Sequence, residues 1–269
     1  MISEYCHNRI KRILIFLLVI MLLSASAAVN VNGTSKKDGN RSVLLGWQIN
    51  DGTYSGRIKG NGPFSGKIKS RITVDQHNIT VSFKLEDHSV SQVYFGNSYK
   101  AAEDQVNAIS GSEGEFTVPV EGLNYKYDMA VYKKGKWQDC KVRFIPSGIH
   151  RKDLVTGNIQ NGKYTGKITL TGGSGRAHIK SPAVITAKDG RLTAKIIWSS
   201  EYYQYIQIGS LKFEKLNKKG NSRMNIPVVP DTDIHIQGLT TAMSTPHLVD
   251  YTIRLDKSTM TKAEKDKNR

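Results

Sequence analysis

Ile185-Thr-Ala-Lys-Asp-Gly-Arg-Leu-Thr-Ala-Lys-Ile-Ile-Trp198 is the stretch on which the fold turns. From Arg191 onward apolar and polar residues alternate, the period of a strand with one solvated face. Asp189-Gly190 reads as the hairpin turn ahead of it, because a type I′ turn needs positive φ at both central positions. The same pattern stands earlier in the chain as Ile72-Thr-Val-Asp-Gln-His-Asn-Ile-Thr-Val81, continuing to Leu85, with Gln76-His77-Asn78 as the turn.

Working outward, the match extends in both directions. Asp51-Gly-Thr-Tyr-Ser-Gly56 answers Asn161-Gly-Lys-Tyr-Thr-Gly166, Phe116-Thr-Val-Pro-Val120 answers Met224-Asn-Ile-Pro-Val228, and Lys141-Val-Arg-Phe144 answers Thr252-Ile-Arg-Leu255. Four matched blocks in the same order predict a duplicated domain. Neither copy shows a helical period, and short strands separated by Gly, Asn and Pro turns over about 100 residues are the pattern of an antiparallel sandwich. The expected fold is all-β: two tandem immunoglobulin-like sandwiches after an N-terminal signal or anchor segment.

Residues 1–28 read as a signal peptide or an uncleaved membrane anchor. Arg9, Lys11 and Arg12 precede an apolar run from Ile13 to Leu23, and Ser24-Ala25-Ser26-Ala27-Ala28 offers a cleavage site. Residues 29–43 read as a disordered tether, 44–146 as the first repeat, 147–154 as a short polar linker, 155–256 as the second repeat, and 257–269 as a solvated polar tail. The bulk of the protein is expected outside the cytoplasm, secreted or anchored to the cell membrane. Cys6 precedes the apolar run and leaves Cys140 as the thiol of the exported part, which therefore has no internal disulfide.

The formal net charge is +16, spread over both repeats. For an exported chain this points to an anionic cell-wall polymer or a membrane surface. Nucleic acid is not expected, because no basic run is interleaved with aromatics.

Subtracting the first copy from the second leaves three features. One is the loop Thr171-Gly-Gly-Ser-Gly-Arg-Ala-His178, where glycines expose backbone N–H groups beside Arg176; no helix period follows it, so a plain strand connection is the favoured reading. Another is Ser199-Ser-Glu-Tyr-Tyr-Gln-Tyr205. On a regular strand Tyr203 and Tyr205 share a face and Tyr202 takes the opposite one. Such rings suit stacking on a flat ligand or a sugar, and a phenolate can ligate ferric haem; alternatively one ring fills the core. The last is Thr240-Thr-Ala-Met-Ser-Thr-Pro-His247, a loop between the last two strands, where Met243 and His247 are soft-metal ligands by type and the hydroxyls suit an ST turn. The candidate ligand-binding residues are Arg176, Ser199, Ser200, Tyr202, Tyr203, Tyr205, Thr240, Thr241, Met243, Ser244 and His247. They act together only if the tyrosine segment and the 240–247 loop meet at one end of the sandwich.

The combination GGSGR, SSxxYxY, Gly220-Asn221-Ser222 and TTAMSTPH resembles a repeated surface module of anaerobic Gram-positive bacteria found with iron and haem uptake systems. It is distantly similar to NEAT domains, immunoglobulin-like modules that hold haem against a lip of serines with a tyrosine pair. That pair is Tyr-x-x-x-Tyr in NEAT domains, whereas here Tyr251 is followed by Leu255. The resemblance implies an extracellular binding protein capturing haem or an iron-related ligand through its second repeat. A non-catalytic wall-associated structural module and a glycan-binding module remain open alternatives. No G-x-S-x-G, H-E-x-x-H or framed carboxylate pair is present, so an enzyme is not expected.

Overall fold

The computed structural model describes residues 43–263, so the signal or anchor segment and residues 29–42 of the tether lie outside the described residues. The first repeat contains β1 (Leu44–Leu45), β2 (Gly52–Gly60), β3 (Ile68–Asp75), β4 (Asn78–Lys84) and β5 (Val90–Phe95). A short helix α1 (Ser98–Glu103) precedes β6 (Ile109–Ser110), β7 (Glu115–Val120), β8 (Gly122–Leu123), β9 (Lys126–Lys133) and β10 (Lys136–Ile145). The second repeat contains β11 (Gly162–Gly166), β12 (Ile168–Gly172), β13 (Ala183–Lys188), β14 (Arg191–Ile197) and β15 (Tyr203–Ile208). It continues through β16 (Leu211–Glu214), β17 (Arg223–Val228), β18 (Asp233–Thr240), β19 (His247–Leu255) and β20 (Thr261–Lys262).

The chain is all-β and antiparallel, folded as tandem sandwiches. In the second, one sheet runs β17-β14-β13-β11-β20 and the other β12-β19-β18-β15-β16. The first has the same two layers, β7-β4-β3-β2 and β2-β10-β9-β5-β6, joined because β2 is unbroken and serves both. Phe83 of β4 meets Phe144 of β10 across the layers at 6.3 Å between ring centroids. In the immunoglobulin arrangement the second strand pairs with the fifth; here three consecutive strands form a meander before the chain crosses over, a variation on that layering.

The duplication holds to the level of register. Thr80 lies opposite Pro119 and Thr193 opposite Pro227; Ile58 lies opposite Phe144 and Ile168 opposite Leu255. Both hairpin turns have the expected positive φ pairs, Gln76 with His77 and Asp189 with Gly190. The tyrosine of each opening block donates to the carbonyl four residues earlier, Tyr54 to Asn50 at 2.7 Å and Tyr164 to Gln160 at 2.9 Å. These shared features belong to the fold.

Two boundary readings change. The linker is polar by composition, yet Ile149 and Leu154 are buried in a core that is continuous between the repeats. Backbone bonds Asn50 N–H to Asp153 O and Val155 N–H to Gln48 O tie it down, and Glu121 of the first repeat accepts from Ser210 N–H of the second. The segment after Leu255 is not a free tail over residues 257–262. Asp256 caps a 3-10 turn, and Thr261–Lys262 pair with β11, so the backbone supplies the order that its side chains do not.

Candidate functional site

The expectation that Tyr203 and Tyr205 share a face is overturned. Both lie on β15, but the pairing with β18 slips between them, so Tyr203 opposes Thr240 and Tyr205 opposes Leu239. A bulge reverses the inside-outside phase of a strand. Tyr203 therefore points into the core, 6 % exposed, while Tyr205 is half-buried on the outer side. The first repeat slips at the equivalent place, between Val90 and Gln92, so the bulge is a property of the frame.

Tyr203 is fully engaged. Its ring stacks on Trp198 with centroids 3.8 Å apart and planes 14° from parallel, and its hydroxyl lies 2.7 Å from that of Tyr251. Burial first, and the bond to Tyr251 second, push its pKa up, so the phenol stays protonated. Gly238 of β18 makes room for this cluster, since a Cβ there would lie 2.9 Å from the Tyr203 ring. Tyr203 is a core residue and does not present a ligand surface.

The tyrosine segment and the 240–247 loop do meet at one end of the second sandwich. Thr241 donates through its N–H and hydroxyl to the carbonyl of Tyr202, at 3.0 and 3.1 Å, and Gln204 Nε2 donates to the Thr241 hydroxyl. The serines shape the loop: Ser199 Oγ accepts from His178 N–H at 3.1 Å, and Ser200 Oγ accepts from Tyr202 N–H. Ser222 is buried and donates its N–H to Ser200. Thr240 is buried and opposes His247, whose Nδ1 lies 3.4 Å from the Thr245 carbonyl. Tyr202 at 50 % and Met243 at 62 % are exposed, as are Arg176 and Ser244. This end is a loop rim with scattered exposed side chains. Among the described residues no group of three His, Cys, Asp or Glu could hold a metal ion.

A better-formed surface lies on the outer face of β12-β19-β18-β15-β16. Because residues directly opposite on antiparallel strands share a face, the ladder lays side chains out in rows. Tyr205, Leu239 and Leu248 make an apolar row. Gln207, Gln237 and Asp250 make a polar row beside it, and His235, Thr252 and Thr171 a further one. Gln237 Nε2 donates to Asp250 at 2.8 Å, and the Thr252 hydroxyl lies 3.1 Å from His235 Nδ1. The two polar rows line a shallow concavity of about 410 Å³. At the apolar row the Lys212 ammonium sits 4.7 Å from the centre of the Tyr205 ring.

The equivalent face of the first sandwich is closed. There Tyr94, Ala130 and Trp137 replace Gln207, Gln237 and Leu248, and Ala101 of α1 packs into them. Tyr94 donates to Asp104 at 3.1 Å, and Ser98 N–H donates to Asp139, the counterpart of Asp250. Trp137 packs against Tyr94 and Tyr132. Sequence reasoning missed the open face because its residues are dispersed over four strands. Their visible signal was the run of polar residues alternating with apolar ones in β18 and β19.

No protein-family model matches the chain, and no curated protein matches it significantly. Among the described residues no helix is long and apolar enough to cross a membrane.

Proposed function

We propose that the chain is an exported, non-catalytic binding protein whose second sandwich receives a polyhydroxylated ligand, a glycan, on the outer face of β12-β19-β18-β15-β16. The observation that carries this reading is the contrast between the halves: one frame seals this face with a helix, the other leaves it bare. Its rows match the two characters of a sugar ring. The row of Tyr205, Leu239 and Leu248 offers apolar area to C–H faces. The adjoining amides, carboxylate and imidazole offer donors and acceptors to hydroxyls. The haem reading loses one of its candidate ligands, because Tyr203 is stacked and hydrogen-bonded inside the core. Export rests on the reading of residues 1–28.

The test is calorimetric titration of the whole protein with a panel of soluble oligosaccharides, beside an absorbance titration with ferric haem. One oligosaccharide class is expected to bind, with affinity reduced at least about tenfold in Gln237→Ala and in Asp250→Ala by loss of buried polar contacts. Tyr202→Ala and Met243→Ala are expected to bind within about twofold of the parent protein, a difference worth only about 0.4 kcal/mol. Absence of saccharide binding, or indifference to Gln237 and Asp250, sinks the glycan reading. A saturable Soret shift abolished by Tyr202→Ala would replace it with haem capture at the loop rim.

A further inference from the structure

The first sandwich carries its own distinctive outer surface, on β9, β10, β2 and β3, separate from the glycan-facing sheet of the second. The ladder places Lys126 opposite Arg143, Arg143 opposite Lys59, Arg57 opposite Lys69, and Ser55 opposite Arg71. Arg57, Lys59, Lys69, Arg71 and Lys126 are exposed, and Arg143 is half-buried. Neighbouring strands lie about 4.8 Å apart and alternate residues along a strand about 6.6 Å apart. The six cations thus follow one diagonal strip across the sheet, with backbone positions about 5–7 Å apart. Among the described residues Arg57, Lys59, Lys69, Arg71 and Lys126 form no ion pair. Asp128 on β9 is paired with Lys141, and Glu115 on β7 with Lys84.

Like charges directly opposite one another on neighbouring strands destabilise a sheet. The second sandwich shows the same frame without that cost. Where the first has Lys126, the second has Asp233, which is bonded to Arg254 at 3.0 Å. Val184, opposite Thr165, replaces Arg71 opposite Ser55, and Thr169 replaces Lys59. At the six equivalent positions the second copy keeps two cations, Lys167 and Arg254, so the continuous row belongs to the first copy.

We infer that this strip is a seat for a linear polyol-phosphate polymer. Arg57 and Arg71 supply planar forks for phosphate oxygens, and the lysines supply point charges between them. A nucleic acid is a poorer match, because the exposed large aromatic rings, Tyr99 and Tyr202, lie outside β2, β3, β9 and β10, where bases would have to stack. A membrane surface is a poorer match for the same reason, since none of the large exposed apolar residues lies on these strands to enter lipid.

The experiment is retention of the whole protein on immobilised poly(glycerol phosphate) over a series of salt concentrations, with anionic vesicles and double-stranded DNA as competitors. Arg57→Glu/Lys69→Glu is expected to weaken binding at least about tenfold and to flatten the log–log salt dependence, since each lost contact removes roughly 0.7 from the slope. Lys180→Glu/Lys188→Glu in the second sandwich changes net charge equally and is expected to stay within about twofold, because it leaves every strip contact in place. Equal loss in both variants would overturn the inference in favour of diffuse charge, as would tighter competition by vesicles or DNA. Lys69→Glu alone separates binding from folding: it puts opposite charges across β2 and β3, so thermal stability holds or rises while affinity falls. A fall in both would reduce Lys69 to a structural role and overturn the seat.

Discussion

The two sandwiches share a backbone frame and differ in what fills and faces it. Near the loop rim the first sandwich has Leu85, Val90, Val131 and Cys140, whereas the second has Trp198, Tyr203, Gly238 and Tyr251 at the corresponding register positions. Strand pairing is set by the backbone and the bulge, so the frame survives when aromatic rings replace aliphatic chains, provided a neighbour shrinks in compensation. Gly238 is that neighbour. In the first sandwich the aromatic volume lies elsewhere, with Phe83 packed 5.9, 5.7 and 6.3 Å from Phe64, Phe116 and Phe144. The outer surfaces differ more widely: one copy carries a covering helix and a cationic strip, the other an open polar sheet. Shared positions teach the fold, and unshared outer positions are where function is sought.

That comparison is broken most severely by moving one residue without its partners. Gly238→Val, which installs the first sandwich's residue, drives a side chain into Tyr203 and Trp198 and is expected to cost about 3 kcal/mol, the upper range for overpacking. Combining it with Trp198→Leu and Tyr203→Val should recover at least half of the lost stability, read as the urea midpoint. No recovery would mean that the two cores are not interchangeable solutions of one frame.

A smaller effect probes the tyrosine pair. Tyr203→Phe leaves the buried Tyr251 hydroxyl without its partner and is expected to cost about 1–2 kcal/mol. The double variant with Tyr251→Phe should be closer to the parent than the sum of the two single variants predicts. Additive losses in chemical denaturation would contradict a shared hydrogen bond.

The smallest effect concerns a pair that the second sandwich lacks. Asp87 accepts from Lys133, where the second copy has Ser200 and Thr240. The bond from Lys133, then that from Ser89, lowers the Asp87 carboxyl to about 2. Its contribution is complete above the ordinary carboxylate range and lost as pH falls from about 4 through about 2 and below. Asp87→Asn is therefore expected to destabilise by less than about 1 kcal/mol at pH 7, as for partly exposed pairs, with the difference shrinking through about pH 2 and vanishing below it. A penalty that persists in acid would assign the role to packing instead.

Much of the frame was legible in the chain. The alternation from Arg191 to Trp198, the turn residues Asp189-Gly190 and Gln76-His77, and the matched blocks all act locally, through pleat period and backbone φ. The site was less legible. The phase of β15 could not be read from Tyr203-Gln-Tyr205, because a bulge depends on pairing with β18, and it sent Tyr203 inward. The open sheet is built from Gln207, His235, Gln237, Asp250 and Thr252, which become neighbours only through hydrogen bonding between strands far apart in the chain.

By itself, then, the sequence determined the strand period, the turns, the duplication and the excess of positive charge, since each follows from residues adjacent in the chain or from composition. Tertiary structure alone decided which tyrosine is buried, that the polar linker is anchored in the core, which sheet is covered by α1, and that Arg57, Lys59, Lys69, Arg71 and Lys126 lie in one strip. The physical reason is that side-chain neighbourhoods in an antiparallel sandwich are created by register and layer packing between distant strands, and one bulge or one inserted helix redirects them without altering the local pattern.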